Sequence, residues 1–125
     1  MTSKSNTIGE AELEIMKVLW RAGKPVNTQY INEAVEEKGW KRTTISTFLT
    51  RLVQKGALSC EKQGKSYYYT PLISQSEYRM SQTKHLIKSL YNGSVKEFAV
   101  SLFEEETLSA GDIRELKAIF EDKEV

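Results

Sequence analysis

Gly39-Trp40-Lys41-Arg42-Thr43-Thr44-Ile45-Ser46-Thr47-Phe48-Leu49-Thr50-Arg51-Leu52-Val53-Gln54-Lys55-Gly56 is the stretch that decides the fold. Wound at roughly 100° per residue, its side chains part into two arcs. Ile45, Phe48, Leu49, Leu52 and Val53 take the i, i+3, i+4, i+7, i+8 positions of a core-facing stripe. Thr43, Ser46, Thr47, Thr50, Arg51 and Gln54 occupy the opposite arc. A solvated helix face is normally built from Glu, Lys, Gln and Ala, which lose little rotamer freedom there. Hydroxyl residues, Thr above all, cost helix stability and need another reason. This arc also holds no carboxylate, and Lys41, Arg42 and Lys55 stand at its ends. Short hydroxyl side chains allow close approach to a surface and donate to phosphate oxygens or base edges. A Thr-rich face serving only solvent is the plain reading; a recognition helix for a DNA major groove is the sharper one, and it organises the rest of the chain.

At 125 residues the chain has room for one domain, or a compact unit with a smaller appendage. Hydrophobic content of 39% with 28% charged residues fits an ordinary soluble protein. Apolar runs of only a few residues exclude membrane insertion. Met1-Thr2-Ser3-Lys4-Ser5-Asn6 lacks an apolar signal core, so a cytoplasmic location is expected. Cys60 stands alone, excluding a disulfide framework within the chain and a cysteine-cluster metal site. The net charge of +1 hides a division. Residues 1–71 hold 11 Lys and Arg against 7 Asp and Glu, or +4, whereas residues 72–125 hold 7 against 10, or −3. Between 38 and 65 the balance is 7 basic residues against the single Glu61, and this positive block coincides with the hydroxyl-rich helix.

On either side of that helix the pattern is helical and then extended. Glu10 and Glu12 open a first helix, with Leu13, Met16, Leu19 and Trp20 as its stripe and Ile15 and Val18 widening it. Ala22-Gly23 ends it, and Lys24-Pro25-Val26 reads as an extended link. Asn27 caps a second helix that turns Tyr30, Ile31, Ala34 and Val35 inward and stops at Gly39. Trp40 plugs the joint before the third helix, roughly 42–55, and Gly56 supplies its left-handed C-terminal cap. Ala57–Lys62 and Ser66–Pro71, parted by Gln63-Gly64-Lys65, read as a β-hairpin, with Tyr67, Tyr68 and Tyr69 suited to a half-buried strand. Three helices and a hairpin make a winged helix-turn-helix, so the fold class is mostly α with a small hairpin. The wing carries Lys62 and Lys65 near its tip.

Leu72-Ile73-Ser74 reads as a hinge between a DNA-binding domain at 1–72 and a helical region at 73–125. Three helices are expected there. The first bears Leu86, Ile87, Leu90 and Tyr91 and breaks at Asn92-Gly93. Ser94 caps the second, with Val95, Phe98, Ala99, Leu102 and Phe103 in register and Glu104-Glu105-Glu106 as a solvated end. Ser109-Ala110-Gly111-Asp112 starts the last, which presents Ile113, Leu116, Ile119 and Phe120. A unit of about fifty residues is marginal alone, so this surplus of apolar surface predicts pairing with a second copy. Folding of the stripes back onto the head is the alternative.

The residues quoted so far resemble a known family. Trp40, Thr44-Ile45 with Thr47, and Leu49-Thr50-Arg51-Leu52-Val53-Gln54-Lys55-Gly56-Ala57-Leu58 are similar to the signature of the penicillinase repressor (BlaI/MecI-type) family. The likeness continues through Lys88-Ser89-Leu90-Tyr91-Asn92-Gly93 and from Leu108-Ser109 to Ile113-Arg114-Glu115-Leu116. It implies a dimeric repressor that binds inverted-repeat operators through winged-helix heads and dimerises through its C-terminal helices. It also implies release by a signal-activated protease within the helix matching Val95–Glu104, and the bond matching the family's cleavage point is Ser101-Leu102. Three departures matter: Lys41 stands where a small capping residue is common, Thr43 and Ser46 stand where relatives carry basic side chains, and Ser101-Leu102 replaces an Asn-Phe bond. Losing two long donors changes which bases the helix reads. Paired cysteines of the copper-responsive branch do not occur in the sequence.

Catalysis finds no residues to carry it. His85 has no cysteine or second histidine near it in sequence and reads as a surface residue, while Cys60 is expected to pack as a small hydrophobe. With no glycine-rich phosphate loop, metal-ligand spacing or nucleophile-base pattern, the chain implies neither an enzyme nor a cofactor nor a metal. A winged-helix module that binds protein, and an activator of the same fold, remain the rival readings. The residues expected on DNA are Thr43, Thr44, Ser46, Thr47 and Arg51 in the major groove, with Lys41, Arg42, Lys55, Lys62 and Lys65 on or near the backbone. Leu86, Leu90, Tyr91, Val95, Phe98, Leu102, Phe103, Ile113, Leu116 and Phe120 are expected to join two copies.

Overall fold

A computed structural model describes residues 7–123. Helix α1 (Glu10–Ala22), strand β1 (Val26–Asn27), helix α2 (Thr28–Ala34), a 3-10 turn (Glu36–Lys38), helix α3 (Arg42–Gln54) and strands β2 (Leu58–Gln63) and β3 (Ser66–Pro71) come first. Helices α4 (Gln75–Leu90), α5 (Val95–Glu104) and α6 (Ala110–Lys123) follow. The result is the expected winged helix-turn-helix with three further helices. Two compact units divide the chain, one ending at Arg79 and the other beginning at Met80.

In the first unit α1 buries Ile15, Met16 and Leu19 completely, while Leu13 and Trp20 flank them as partly buried neighbours. Met16 and Leu19 thus lie in the stripe as expected, Ile15 and Val18 are core rather than its margin, and Leu13 and Trp20 form its edges. Trp20 donates its indole N–H to the Ile73 carbonyl at 2.9 Å and its ring meets Tyr78 at 5.9 Å. Gly23, at φ 69, ends α1 in the left-handed region that favours glycine. The stretch Lys24-Pro25-Val26, expected as a plain link, instead delivers a strand. Val26 pairs with Tyr69 and Asn27 with Tyr68, giving an antiparallel sheet of order β1-β3-β2. Two paired residues are too few to show a period of two in sequence.

Asn27 does cap α2, its Oδ1 accepting from the Tyr30 N–H at 2.9 Å. Only Ile31 and Val35 turn inward, however; Tyr30 and Ala34, expected beside them, are exposed. With seven residues α2 makes two turns and buries Ile31 alone, and Val35, its C-cap, follows four positions on into the same core. It stops at Ala34, and the separate 3-10 turn, not α2, ends at Gly39.

Helix α3 buries Ile45, Leu49 and Leu52, and Phe48 and Val53 lie partly buried against the same core. Trp40 packs edge-on against Phe48 at 5.3 Å, as a plug between α2 and α3 should. The helix closes with Gly56 at φ 83, the Ala57 N–H on the Leu52 carbonyl and the Gly56 N–H on the Val53 carbonyl. That is a Schellman motif, and it turns the chain directly into the wing. The wing ladder runs from Leu58↔Pro71 to Gln63↔Ser66. Ile8, the lone apolar residue just ahead of α1, is also buried in this core.

The stretch Leu72-Ile73-Ser74, expected as a hinge, is tied down at all three residues, Leu72 donating its backbone N–H to the Ala57 carbonyl at 2.8 Å. Ile73 packs on the core, and Ser74 forms a reciprocal capping box with Glu77, the serine Oγ accepting at 3.0 Å and the glutamate Oε1 at 2.9 Å. In the second unit Asn92 (φ 52) and Gly93 (φ 83) end α4, and Ser94 caps α5 by accepting from the Glu97 N–H. Ser109 and Asp112 form a second capping box at the start of α6. Helices α5 and α6 contain no fully buried residue.

Candidate nucleic-acid interface

The core stripe of α3 fixes which arc faces out. With Ile45, Leu49 and Leu52 buried, Thr43, Ser46, Thr47, Thr50, Arg51 and Gln54 are exposed, and Thr44 lies at the margin. Thr47 donates its hydroxyl to the Thr43 carbonyl at 3.0 Å. Its proton is therefore occupied, and what it offers outward is an acceptor oxygen and a methyl group. Lys41 takes the N-cap position with an extended backbone and no side-chain cap. The first-turn N–H groups of α3 thus have no side-chain acceptor, and they lie beside the exposed Lys41 and Arg42.

The wing supplies a second cationic element. Lys62 is exposed on β2 and Lys65 in the two-residue turn that it forms with Gly64, whose φ of 66 suits such a hairpin. Alternate residues of β2 point to opposite faces, so Glu61 and Lys62 look in opposite directions. Cys60 faces Tyr69 across the ladder and is exposed, not packed as expected. Only the root of β2, at Leu58, reaches the core. Burial, reinforced by the Cys60 contact, pushes the Tyr69 hydroxyl above its ordinary range.

One cation assigned to the interface is committed elsewhere. Lys55 donates to Glu12 Oε1 at 2.6 Å and to the Thr7 carbonyl at 2.8 Å, spending two of its three donors inside the first unit. Glu12 is 5% exposed and also accepts from the Gly9 N–H at 3.0 Å. Burial alone raises a carboxyl pKa. Here the Lys55 and Gly9 hydrogen bonds, with the positive charges of Lys55 and Arg51, outweigh it and hold Glu12 below its ordinary value. Local sequence suggests only a helix-dipole role for Glu12, because its partner lies 43 positions away.

In the second unit most of the expected pairing residues are open in the single chain. Leu90 is 71% exposed, Phe120 66% and Val95 65%, while Leu86, Phe103, Ile113 and Leu116 are also exposed. Tyr91 and Phe98 are half-buried and meet edge-on at 5.5 Å, and Leu102 is half-buried as well. Ser101 donates to the Phe98 carbonyl at 2.7 Å and lies 3.1 Å from the Tyr91 hydroxyl. The Ser101-Leu102 bond therefore lies inside α5. His85 is exposed, with Ser89 Oγ 3.4 Å from its Nε2. Among the described residues no helix is long and apolar enough to cross a membrane.

A winged helix-turn-helix whose third helix shows a hydroxyl-lined, carboxylate-free face, followed by a helical unit, defines the class. The sequence pattern described as penicillinase repressor matches residues 8–122, and the chain belongs to that family. It is 36% identical over 115 residues to the penicillinase repressor of Bacillus licheniformis, covering 92% of this chain and 90% of that protein. It is 31% identical over 123 residues to the methicillin resistance regulatory protein MecI of Staphylococcus aureus strain N315, covering 98% and 100% of the two chains. Among solved structures, the DNA-binding domain of the repressor BlaI in solution is similar at TM-score 0.54 and 40% identity, covering 62% of this chain and 94% of that one. Monomeric Bacillus licheniformis BlaI in complex with the blaP half-operator is similar at TM-score 0.50 and 41% identity, over 58% and 88% of the chains.

Proposed function

We propose that the protein is a cytoplasmic transcriptional repressor that binds an inverted-repeat DNA operator as a homodimer. Residues 1–72 read DNA and residues 73–125 join two copies. The outward face of α3 carries the reading: six polar positions, four of them hydroxyl, with Arg51 as their cation and no carboxylate among them. Thr43, Thr44, Ser46, Thr47 and Arg51 meet base edges in the major groove, and Lys41, Arg42, Lys62 and Lys65 meet phosphates. Lys55 serves the domain's own structure and leaves that set, since Glu12 holds it. The open faces of α4, α5 and α6 supply the surface for a second copy, because a single head reading one half-site binds weakly. Relief by a signal-activated protease at Ser101-Leu102 requires α5 to unwind locally, since the bond is helical and Ser101 is hydrogen-bonded to its own helix.

Selection of bound sequences from random duplex DNA tests this reading. Expected is one motif with two-fold symmetry, bound with an affinity that falls steeply as salt is added. A protein-binding module would show a much shallower salt dependence, and failure to retain any duplex in dilute buffer would end the proposal. Similarity to the penicillinase repressor of Bacillus licheniformis favours a repressor over an activator; the operator's position relative to its promoter decides between them.

A further inference from the structure

Tyr67 is 48% exposed on the wing, where an aromatic ring has no core to fill. It stands directly across from Lys62 in the β2–β3 ladder, and the Lys62 ammonium lies 5.8 Å from its ring centroid. Pairs two positions apart share one face of a sheet, so Leu58↔Pro71, Cys60↔Tyr69 and Lys62↔Tyr67 line the same side. At the root of that side Leu58 is buried and Tyr69 packs on the core; towards the tip the Lys62–Tyr67 pair is exposed. Glu61 pairs with Tyr68 on the opposite face. The aromatic is thus placed beside Lys62, one of the wing's two cations, and away from the wing's one carboxylate.

We infer that Tyr67 is a positioning residue for the wing's phosphate contact, acting through Lys62. The inference rests on the DNA-binding reading above. A free lysine carries about 2 kcal/mol of rotamer entropy, which phosphate binding must remove. A ring beneath the ammonium narrows those rotamers beforehand and leaves the full positive charge available, because an aromatic face attracts a cation without neutralising it. A carboxylate would do the reverse, as Glu12 does to Lys55. The contact so prepared is to backbone phosphate and carries no sequence information.

The test uses the full-length protein with its selected operator and a scrambled duplex, titrated by fluorescence anisotropy at several salt concentrations. Four variants are compared: Tyr67→Thr, which keeps strand propensity, Tyr67→Phe, Lys62→Met, and Tyr67→Thr combined with Lys62→Met. Tyr67→Thr is expected to weaken both duplexes about two- to five-fold, the size of an exposed cation–π contact, with an unchanged salt slope. Lys62→Met should lower the slope by about one phosphate contact. Tyr67→Phe should match the parent protein, and Tyr67→Thr should cost nothing further once Lys62 is gone. An unchanged affinity for Tyr67→Thr, or an equal loss with and without Lys62, overturns the positioning role. A loss in Tyr67→Phe overturns it too, by moving the effect to the hydroxyl. If the parent protein binds neither duplex, the DNA-binding reading falls and the inference with it; if the parent binds and only the Tyr67 result fails, the reading stands.

Discussion

Helices α3 and α5 carry the same apolar spacing and meet opposite fates. In α3 the stripe of Ile45, Leu49 and Leu52 is fully buried, capped at its end by a Schellman turn and held against α1 and the wing root. In α5 Val95 and Phe103 are exposed, and Phe98 and Leu102 only half-covered. Periodicity tells a helix which face is apolar; it does not say what will cover it. The first unit has a sheet and two further helices to enclose its stripe, whereas the second has about fifty residues, too few to enclose three stripes. The contrast is that of a unit that encloses its own core and one whose apolar stripes stay open in the single chain.

The sharpest way to break this contrast is to truncate one stripe in each unit. Leu52→Ala should cost about 2–5 kcal/mol in urea unfolding followed by Trp20 and Trp40 fluorescence. Phe120→Ala should leave that transition nearly in place, because its side chain is mostly open in the single chain. Equal losses would mean that the two units are not different in kind.

Next in size is the buried ion pair of the head. Glu12→Gln should cost about 1–3 kcal/mol, since it leaves the Lys55 charge without its partner. The pH dependence has a definite sign. Glu12 is held below its ordinary 4.5, so its contribution is complete above that value and drains away as pH falls through the lower folded value. The variant should therefore show a flatter acid limb, and an unaltered limb would assign the acid lability to other groups.

Phe103→Ala probes the proposed pairing of two copies through this open surface. About 1–2 kcal/mol of association should be lost, roughly a tenfold shift towards monomer in sedimentation. A dimer of parental strength would move the interface off α5. Smallest of all is Glu106→Gly. Glu106 takes the left-handed conformation at φ 56 that glycine adopts without strain, and it closes α5 with the Thr107 N–H on the Leu102 carbonyl. A gain of about 0.5–1 kcal/mol in thermal unfolding of the second unit is expected; a loss would show that the Glu106 side chain does more than the strain costs.

The arc of Thr43, Ser46, Thr47, Thr50, Arg51 and Gln54 was legible because one helix places them on one face whatever surrounds it. The Asn27 and Ser94 caps, the Ser109–Asp112 box and the Gly56 and Gly64 turns were legible for the same reason: each is settled by residues a few positions apart. Local sequence also placed the cations at the ends of the arc and on the wing, and with them the membership in a repressor family. Tertiary structure alone decided that Val26-Asn27 is a strand, that Ile8 is core, that Cys60 lies open and that Tyr30 and Ala34 face out. It alone drew Lys55 from the candidate interface to Glu12 and set Tyr67 beside Lys62. Each of these depends on a partner far along the chain or on which face a neighbour happens to cover, and neither leaves a mark in local spacing. Short-range hydrogen bonds and helical periodicity are written in sequence; burial and long-range pairing exist only once the chain has closed on itself.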